Sequence, residues 1–253
     1  MPDPAKHVDW TIPADSEPLR TELLSTERLA DTARALASTQ CWTVDTQSRT
    51  VPLLSVLDRA EVTIEKIYTL LATDARNQAP ISVSAEWLLD NYYLVEEQIR
   101  TVRDDLPADY GLELPRLCEG SLRGYPRIFE AMLLLVSASD ARLDRERLIR
   151  FVMAFQDSSP LTIGEVWAIP IMLRIALVDN VRRLSTRISA SHTAIKEADA
   201  WADRVLEALQ SASAHVEQVM HELERARPTP SPAFLIRFSQ RLQDHEDADA
   251  AVL

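Results

Sequence analysis

The chain holds four glycines in 253 residues, where average usage would give roughly 17. Glycine supplies the positive φ of tight hairpin turns and lets backbone approach a phosphate closely. A chain this poor in glycine forms few β-hairpins, and it contains neither G-x-G-x-x-G nor a P-loop. Ala, Leu, Arg and Glu, all good helix formers, are abundant instead. The expected fold is all-α: a multi-helix bundle of long amphipathic antiparallel helices with no significant β-sheet.

Hydrophobic periodicity places those helices. Residues 19–40 read as a first helix, and a second runs from near Pro52 to about Asn77, with Leu54, Leu57, Ile64, Tyr68 and Leu71 on its stripe. The third, Ser84 to Pro107, puts Leu88, Tyr92, Val95, Ile99, Val102 and Leu106 on one face at steps of four and three. Residues 108–127 are turn-rich and carry Gly111, Gly120 and Gly124. Helices resume near Pro126 and again over 143–156. Thr162 and Glu165 have capping-box spacing at the head of a helix reaching about Ile188 through Pro170, where a kink is expected. That helix is read as turning Val166, Leu173, Leu177, Val181, Leu184 and Ile188 inward. A last long helix spans about Thr193 to Arg225. The expected organisation is a loose arm at 1–18, a helical bundle at 19–226, and at 227–253 a proline-rich linker, the start of a further helix and an acidic tail.

The formal charge of −12 repels phosphate backbones, so nucleic acid is not an expected partner. The first ten residues lack the apolar core of a signal peptide, and no 18-residue run is apolar without charge, so no transmembrane segment is expected in this chain. Cys41 and Cys118 have no metal or redox spacing and read as small buried thiols. The histidines form no H-E-x-x-H; His215 and His221 fall on opposite sides of a helix and read as solvated, so no metal and no cofactor is expected. Asp247 and Asp249, the one Asp-x-Asp, read as a solvated charge run. Asp140 and Asp144 read as helix caps more readily than as an acid–base pair. Trp87, Tyr92, Tyr93 and Tyr125 suggest a sugar-stacking platform, but core packing is the better reading. No catalytic residue is assigned.

Three strings go beyond generic helix: AEWLLDNYYLVEEQIRTVRDDLP at 85–107, GYPRIFE at 124–130 and PLTIGEVWAIPIMLRIALVDNVRRL at 160–184. In this order, flanked by the helices at 19–37 and 233–248, they resemble the N-terminal region of bacterial cyclic β-1,2-glucan synthases. The resemblance implies a large inner-membrane glycosyltransferase that uses UDP-glucose, of which this would be a non-catalytic helical part. Two positions depart from the family pattern. Its Tyr-Tyr-Arg and Leu-Pro-Lys-Leu segment is Tyr110 to Leu117 here, and its His-Thr-Asp-Ser is Ser137 to Asp140.

On this resemblance, the expected role is to scaffold or regulate the glycosyltransferase portion of a glucan synthase, in the same or a separate chain. The expected place is the cytoplasm, at the inner face of the bacterial inner membrane. The alternatives are a β-glucan or sugar-nucleotide (UDP-glucose) binding module, and a stand-alone helical adaptor. The turn-rich segment supplies the candidate ligand or partner contacts: Tyr110, Arg116, Arg123, Tyr125 and Arg127.

Overall fold

The structure is a computed structural model and describes residues 24–44, 53–106, 114–139, 142–211 and 213–250. The arm at 1–18, Tyr110, Asp140 and the side chains of Asp247 and Asp249 lie outside the described residues. Eight helices are found among the described residues: α1 Thr26–Thr39, α2 Leu54–Arg76, α3 Val83–Asp105, α4 Arg127–Ala138, α5 Arg145–Ser158, α6 Ile163–Ser211, α7 Ser213–Ala226 and α8 Pro232–Ala250. Two strands of two residues, β1 (Trp42–Thr43) and β2 (Arg116–Leu117), pair antiparallel with Trp42 opposite Leu117. The all-α expectation holds.

The chain divides into two compact units, Met1–Thr73 with Trp87–Thr186, and Asp74–Glu86 with Arg187–Leu253. In the first, α4 is the central helix. Its sequence, RIFEAMLLLVSA, is apolar nearly all round, and every residue of it but Glu130 is buried, as a helix surrounded by others requires. α1 packs on α5 and α4, burying Leu29, Ala33 and Ala37. Ser25 caps α1 by accepting from Arg28 N, and Asp144 caps α5 by accepting from Arg147 N at 2.8 Å. The cap agrees with the helix-cap reading of Asp144.

α2 and α3 bury the stripes their sequences announce: Leu57, Ile64 and Leu71 on one, Leu88, Val95, Ile99 and Val102 on the other. Tyr68 stacks on Tyr92 at 4.2 Å between ring centres. Farther along the same pair, Arg103 donates to Asp58 at 2.7 Å and to both Glu61 oxygens at 2.6 and 3.1 Å. Tyr92 is half-buried in its stack on Tyr68, whereas Trp87 and Tyr93 are exposed.

The helix boundaries of the C-terminal half differ from expectation. α6 is one helix of 49 residues that passes through Pro170 and through the stretch near 189–192, where a break was expected. That stretch holds Ser, Ala and His but no Pro or Gly, so nothing interrupts the hydrogen-bond ladder. The inward face also differs. Val166 and Leu184 are exposed, while Glu165, Ala168, Met172, Ile175, Ala176, Asp179, Arg182 and Arg183 are buried. Asp179 accepts from Arg182 Nε and Arg183 Nε, each at 2.8 Å, so the buried face carries paired charges as well as apolar side chains.

In the second unit, Ala194, Ala198 and Ala202 make a small-residue stripe on α6. Phe234 and Phe238 of α8 pack with it, joined by Val205 and Leu223. Small side chains on one helix make room for rings on the other. Ion pairs border this core: Arg237 with Asp199 at 2.7 Å, Arg241 with Asp203, Arg227 with Glu197 and Arg204 with Glu222.

Candidate functional site

Of the turn-rich segment 108–127, the first residues up to 113 lie outside the described residues, and 115–127 form a short hairpin. Gly120 at φ +79° and Gly124 at φ +88° take left-handed conformations that other residues avoid. A β-carbon on Gly120 would meet nothing within 4 Å, so the backbone angle, not space, demands glycine there. Gly124 N donates to Leu117 O at 2.8 Å and Leu117 N to Tyr125 O at 2.9 Å, which closes the hairpin. Arg127 N then donates to Pro115 O as α4 begins.

That geometry delivers the Arg127 side chain inward. Its Nε donates to Glu165 Oε1 at 2.7 Å and its Nη2 to Glu165 Oε2 at 3.0 Å. Nη1 donates to Ser159 Oγ at 2.6 Å and Nη2 to Pro160 O at 2.8 Å. The guanidinium lies 4.3 Å from the centre of the Trp42 ring, in cation–π contact. Glu165 is aimed by the capping box expected from sequence: Thr162 N donates to Glu165 Oε2 at 2.9 Å, and Glu165 N to Thr162 Oγ1 at 3.2 Å. One ion pair thus ties together the start of α4, the turn after α5, the start of α6 and β1.

Both side chains of this pair are 0% exposed. A bidentate pair shielded this completely cannot grip a ligand; it fixes where three chain turns meet. Beside it, Gln40 Nε2 donates to Arg127 O at 3.1 Å and to Glu130 Oε2 at 2.8 Å. Burial pushes the Glu130 carboxyl above its ordinary value, and the Gln40 donor partly offsets this.

Of the five expected contact residues, Arg123 is exposed and Tyr125 is half-buried against Phe129 at 5.6 Å. Arg116 and Arg127 are corrected: both are buried, Arg116 in β2 and Arg127 at the head of α4, so neither offers a surface contact. Both residues of β2 are buried, and the Arg127 guanidinium is enclosed as well as its stem because Glu165, Ser159 and Pro160 supply its acceptors. The cysteines are corrected as well. Cys41 and Cys118 form a disulfide, with Cα atoms 5.6 Å apart, beside the β1–β2 pairing. Cys41 is exposed and Cys118 half-exposed. Seventy-seven residues separate them, a spacing that carries no signal at the level of sequence.

A second cluster, in the second unit, went unassigned by sequence. Asp74 accepts from His192 Nε2 at 2.7 Å and from Lys196 Nζ at 2.9 and 3.0 Å. His192 is buried, and Lys196 is half-exposed. The His192 and Lys196 donors hold the Asp74 carboxyl below its ordinary value. Histidine and lysine four residues apart share one face of α6, which is the signal that was present; the partner carboxylate 118 residues away was not foreseeable. Among the described residues His192 makes no other side-chain hydrogen bond.

A groove between α1 and α5 is lined by Glu27, Asp31, Arg34, Arg150, Met153 and Asp157. Arg34 pairs there with Asp31 and Asp157, and Arg150 with Glu146. Among the described residues no group of three or more His, Cys, Asp or Glu is placed to hold a metal ion. No described helix is long and apolar enough to cross a membrane.

No protein-family model matches the chain. Among curated proteins, it is similar to the cyclic β-(1,2)-glucan synthase NdvB of Rhizobium meliloti (strain 1021), with 32% identity over 195 residues. The aligned stretch is 76% of this chain and 7% of the synthase. The chain therefore corresponds to a small part of the curated relative it matches, and the resemblance drawn from its three strings holds over most of its length.

Proposed function

We propose that this chain is a non-catalytic helical region that braces or regulates the glycosyltransferase portion of a cyclic β-1,2-glucan synthase, whether in one polypeptide or as a separate protein. The observation that carries the reading is the 195-residue match to such a synthase. Two structural features support it. The Arg127–Glu165 pair of the first unit is sealed from solvent and joins secondary-structure ends. The Asp74–His192–Lys196 cluster likewise ties helices together rather than lining a cleft for a sugar nucleotide. On this reading the working place is the face of the inner membrane that holds the transferase, reached through that partner.

The test is reconstitution. The purified chain incubated with UDP-glucose forms no glucan, while it co-purifies with, and alters the glucan output of, a synthase preparation lacking the matching region. Glucan synthesis by the chain alone refutes the non-catalytic claim, and an unchanged output refutes the bracing claim. Calorimetric titration with UDP-glucose and with linear and cyclic β-1,2-glucan separates the binding-module alternative. Saturable heat abolished by Tyr125→Ala would move the function to the hairpin.

A further inference from the structure

We infer that the outward side of α6 over 163–184 is the surface by which this chain holds the glycosyltransferase portion of the synthase, and that an amphipathic helix of that portion lies along it, an inference that rests on the function proposed above. α6 is apolar on two sides. The inward side buries Ala168, Met172, Ile175 and Ala176. The opposite side, all of it within the first unit, carries Ile163 at 80% exposure, Trp167 at 74%, Val166 at 45% and Leu184 at 37%, with Leu173 and Leu177 half-buried between them. At about 100° per residue these side chains fall within an arc of about 120°. Single exposed apolar residues are ordinary on a protein surface, whereas a continuous stripe of them marks a contact. A helix apolar on both sides belongs in an interior.

Charge, spacing and area decide what covers this stripe. The chain has a net charge of −12, yet between Thr162 and Thr186 the only carboxylates are Glu165 and Asp179, and both are buried in arginine pairs. Among these described residues Arg174 is the one charged side chain on the outward side, and Asp105 stands 3.7 Å from it. A helix that lies on an anionic membrane carries Lys and Arg along its polar borders, and this face does not. A stripe with so little charge complements an apolar stripe of protein. Val166 and Leu177 stand eleven residues apart, as do Leu173 and Leu184. That repeat drifts little along a straight α-helix, so a second helix can follow the whole face.

Area separates that partner from a second copy of the chain. From Ile163 to Leu184 the face runs about 32 Å at the helical rise, and at a width of about 10 Å it offers a footprint of roughly 300 Å². Even twice that, to allow for the relief of side chains, falls short of the roughly 800 Å² per partner of a stable two-chain interface. The face is enough for a partner kept at high effective concentration by a chain link or by further contacts. The matched stretch is 7% of the synthase it resembles, so the rest of such a synthase supplies a partner of that kind.

The experiment titrates the full chain against the synthase preparation lacking the matching region and measures the chain retained. Ile163 and Trp167 protrude, so the I163D/W167D variant changes the face and spares the core, which an unchanged thermal melt checks. That variant loses at least ~tenfold in apparent affinity. Tyr93→Asp, at an exposed aromatic position on α3, loses none. A benzophenone side chain at position 167 crosslinks under light to the apolar stripe of a helix in the transferase portion. If wild type and I163D/W167D are retained equally, the inference falls while the function proposed above stands. If wild type itself is not retained, both fall. Two other occupants also overturn it. One is a second copy, shown by a wild-type dimer in analytical ultracentrifugation that I163D/W167D dissociates. The other is a lipid surface, shown by flotation of the chain with phosphatidylglycerol vesicles that the same variant abolishes.

Discussion

Replacing Arg127 by methionine removes the guanidinium and keeps an unbranched apolar stem against Trp42 and Phe155. The Glu165 carboxylate stays at 0% exposure with Thr162 N and Oγ1 as its remaining donors. Ser159 Oγ and Pro160 O lose the donor each now has. Breaking one partner of a buried pair costs about 3–5 kcal/mol, and two orphaned neutral acceptors place R127M at the upper end, about 4–5 kcal/mol. Glu165→Gln keeps an acceptor for Thr162 N and a neutral bond to Arg127, so its cost is smaller, about 2–3 kcal/mol. The informative variant is the double R127M/E165L. It removes both charges together, which is often near neutral, and loses the Thr162 cap for about 1 kcal/mol. The double variant is therefore milder than R127M alone. Urea denaturation followed by circular dichroism at 222 nm gives the free energies, and hydrogen exchange in α4 assigns the loss to the first unit. If R127M costs under about 1 kcal/mol, or if R127M/E165L costs the sum of R127M and E165L measured singly, the two residues are not coupled and the reading of this pair as a lock fails.

Three further outcomes follow from the same geometry. The Glu130 carboxyl is raised by burial, so the folded chain binds that proton more tightly than the unfolded chain. Its contribution to stability therefore falls as pH rises from the ordinary 4.5 up through the folded value. E130Q, which still accepts from Gln40, is at least as stable as wild type at pH 7 and flattens that fall; a clear loss of melting temperature would contradict this. Asp74 is held low, so its contribution is present above the ordinary 3.8 and disappears as pH falls through the folded value. D74N costs about 1–3 kcal/mol at pH 7 because buried His192 loses its charged acceptor, and a difference that persists unchanged at pH 2 would show that the carboxylate was not responsible. Phe234→Ala empties a fully packed site between α8 and the alanine stripe and costs about 3–5 kcal/mol. Exchange in α8 must accelerate for that packing to be as described.

The helices with one apolar stripe were legible because burial and periodicity agree on them: Leu88, Val95, Ile99 and Val102 recur at helical spacing and all are buried. The capping box at Thr162 and Glu165 was legible for a different reason, since both its hydrogen bonds form within four residues. What failed in α6 was an inward face read from apolar spacing alone, since Val166 and Leu184 are exposed. Glu165, Asp179, Arg182 and Arg183 all turn inward, and each is accommodated by a partner that periodicity cannot weigh. For Glu165 the partner is 38 residues away, so the sign of its burial depends on a tertiary contact.

The same distinction separates the five candidate contacts. Within the segment 108–127 marked by its glycines, Gly120 and Gly124 take positive φ, a local demand that sequence can signal. Which arginine faces outward is not a local matter. Arg123 sits at the turn and is exposed, whereas Arg116 lies in a strand and Arg127 at a helix start, where the chain points them at the core. An arginine can be buried only where carboxylate and carbonyl acceptors already wait, and Glu165, Ser159 and Pro160 are brought there by the turn after α5. The hairpin, the turn and the cap at α6 therefore depend on one another. A substitution at Ser159 or Thr162 should act on the Arg127 hub as surely as one at Arg127 itself, and this holds although neither residue carries a charge.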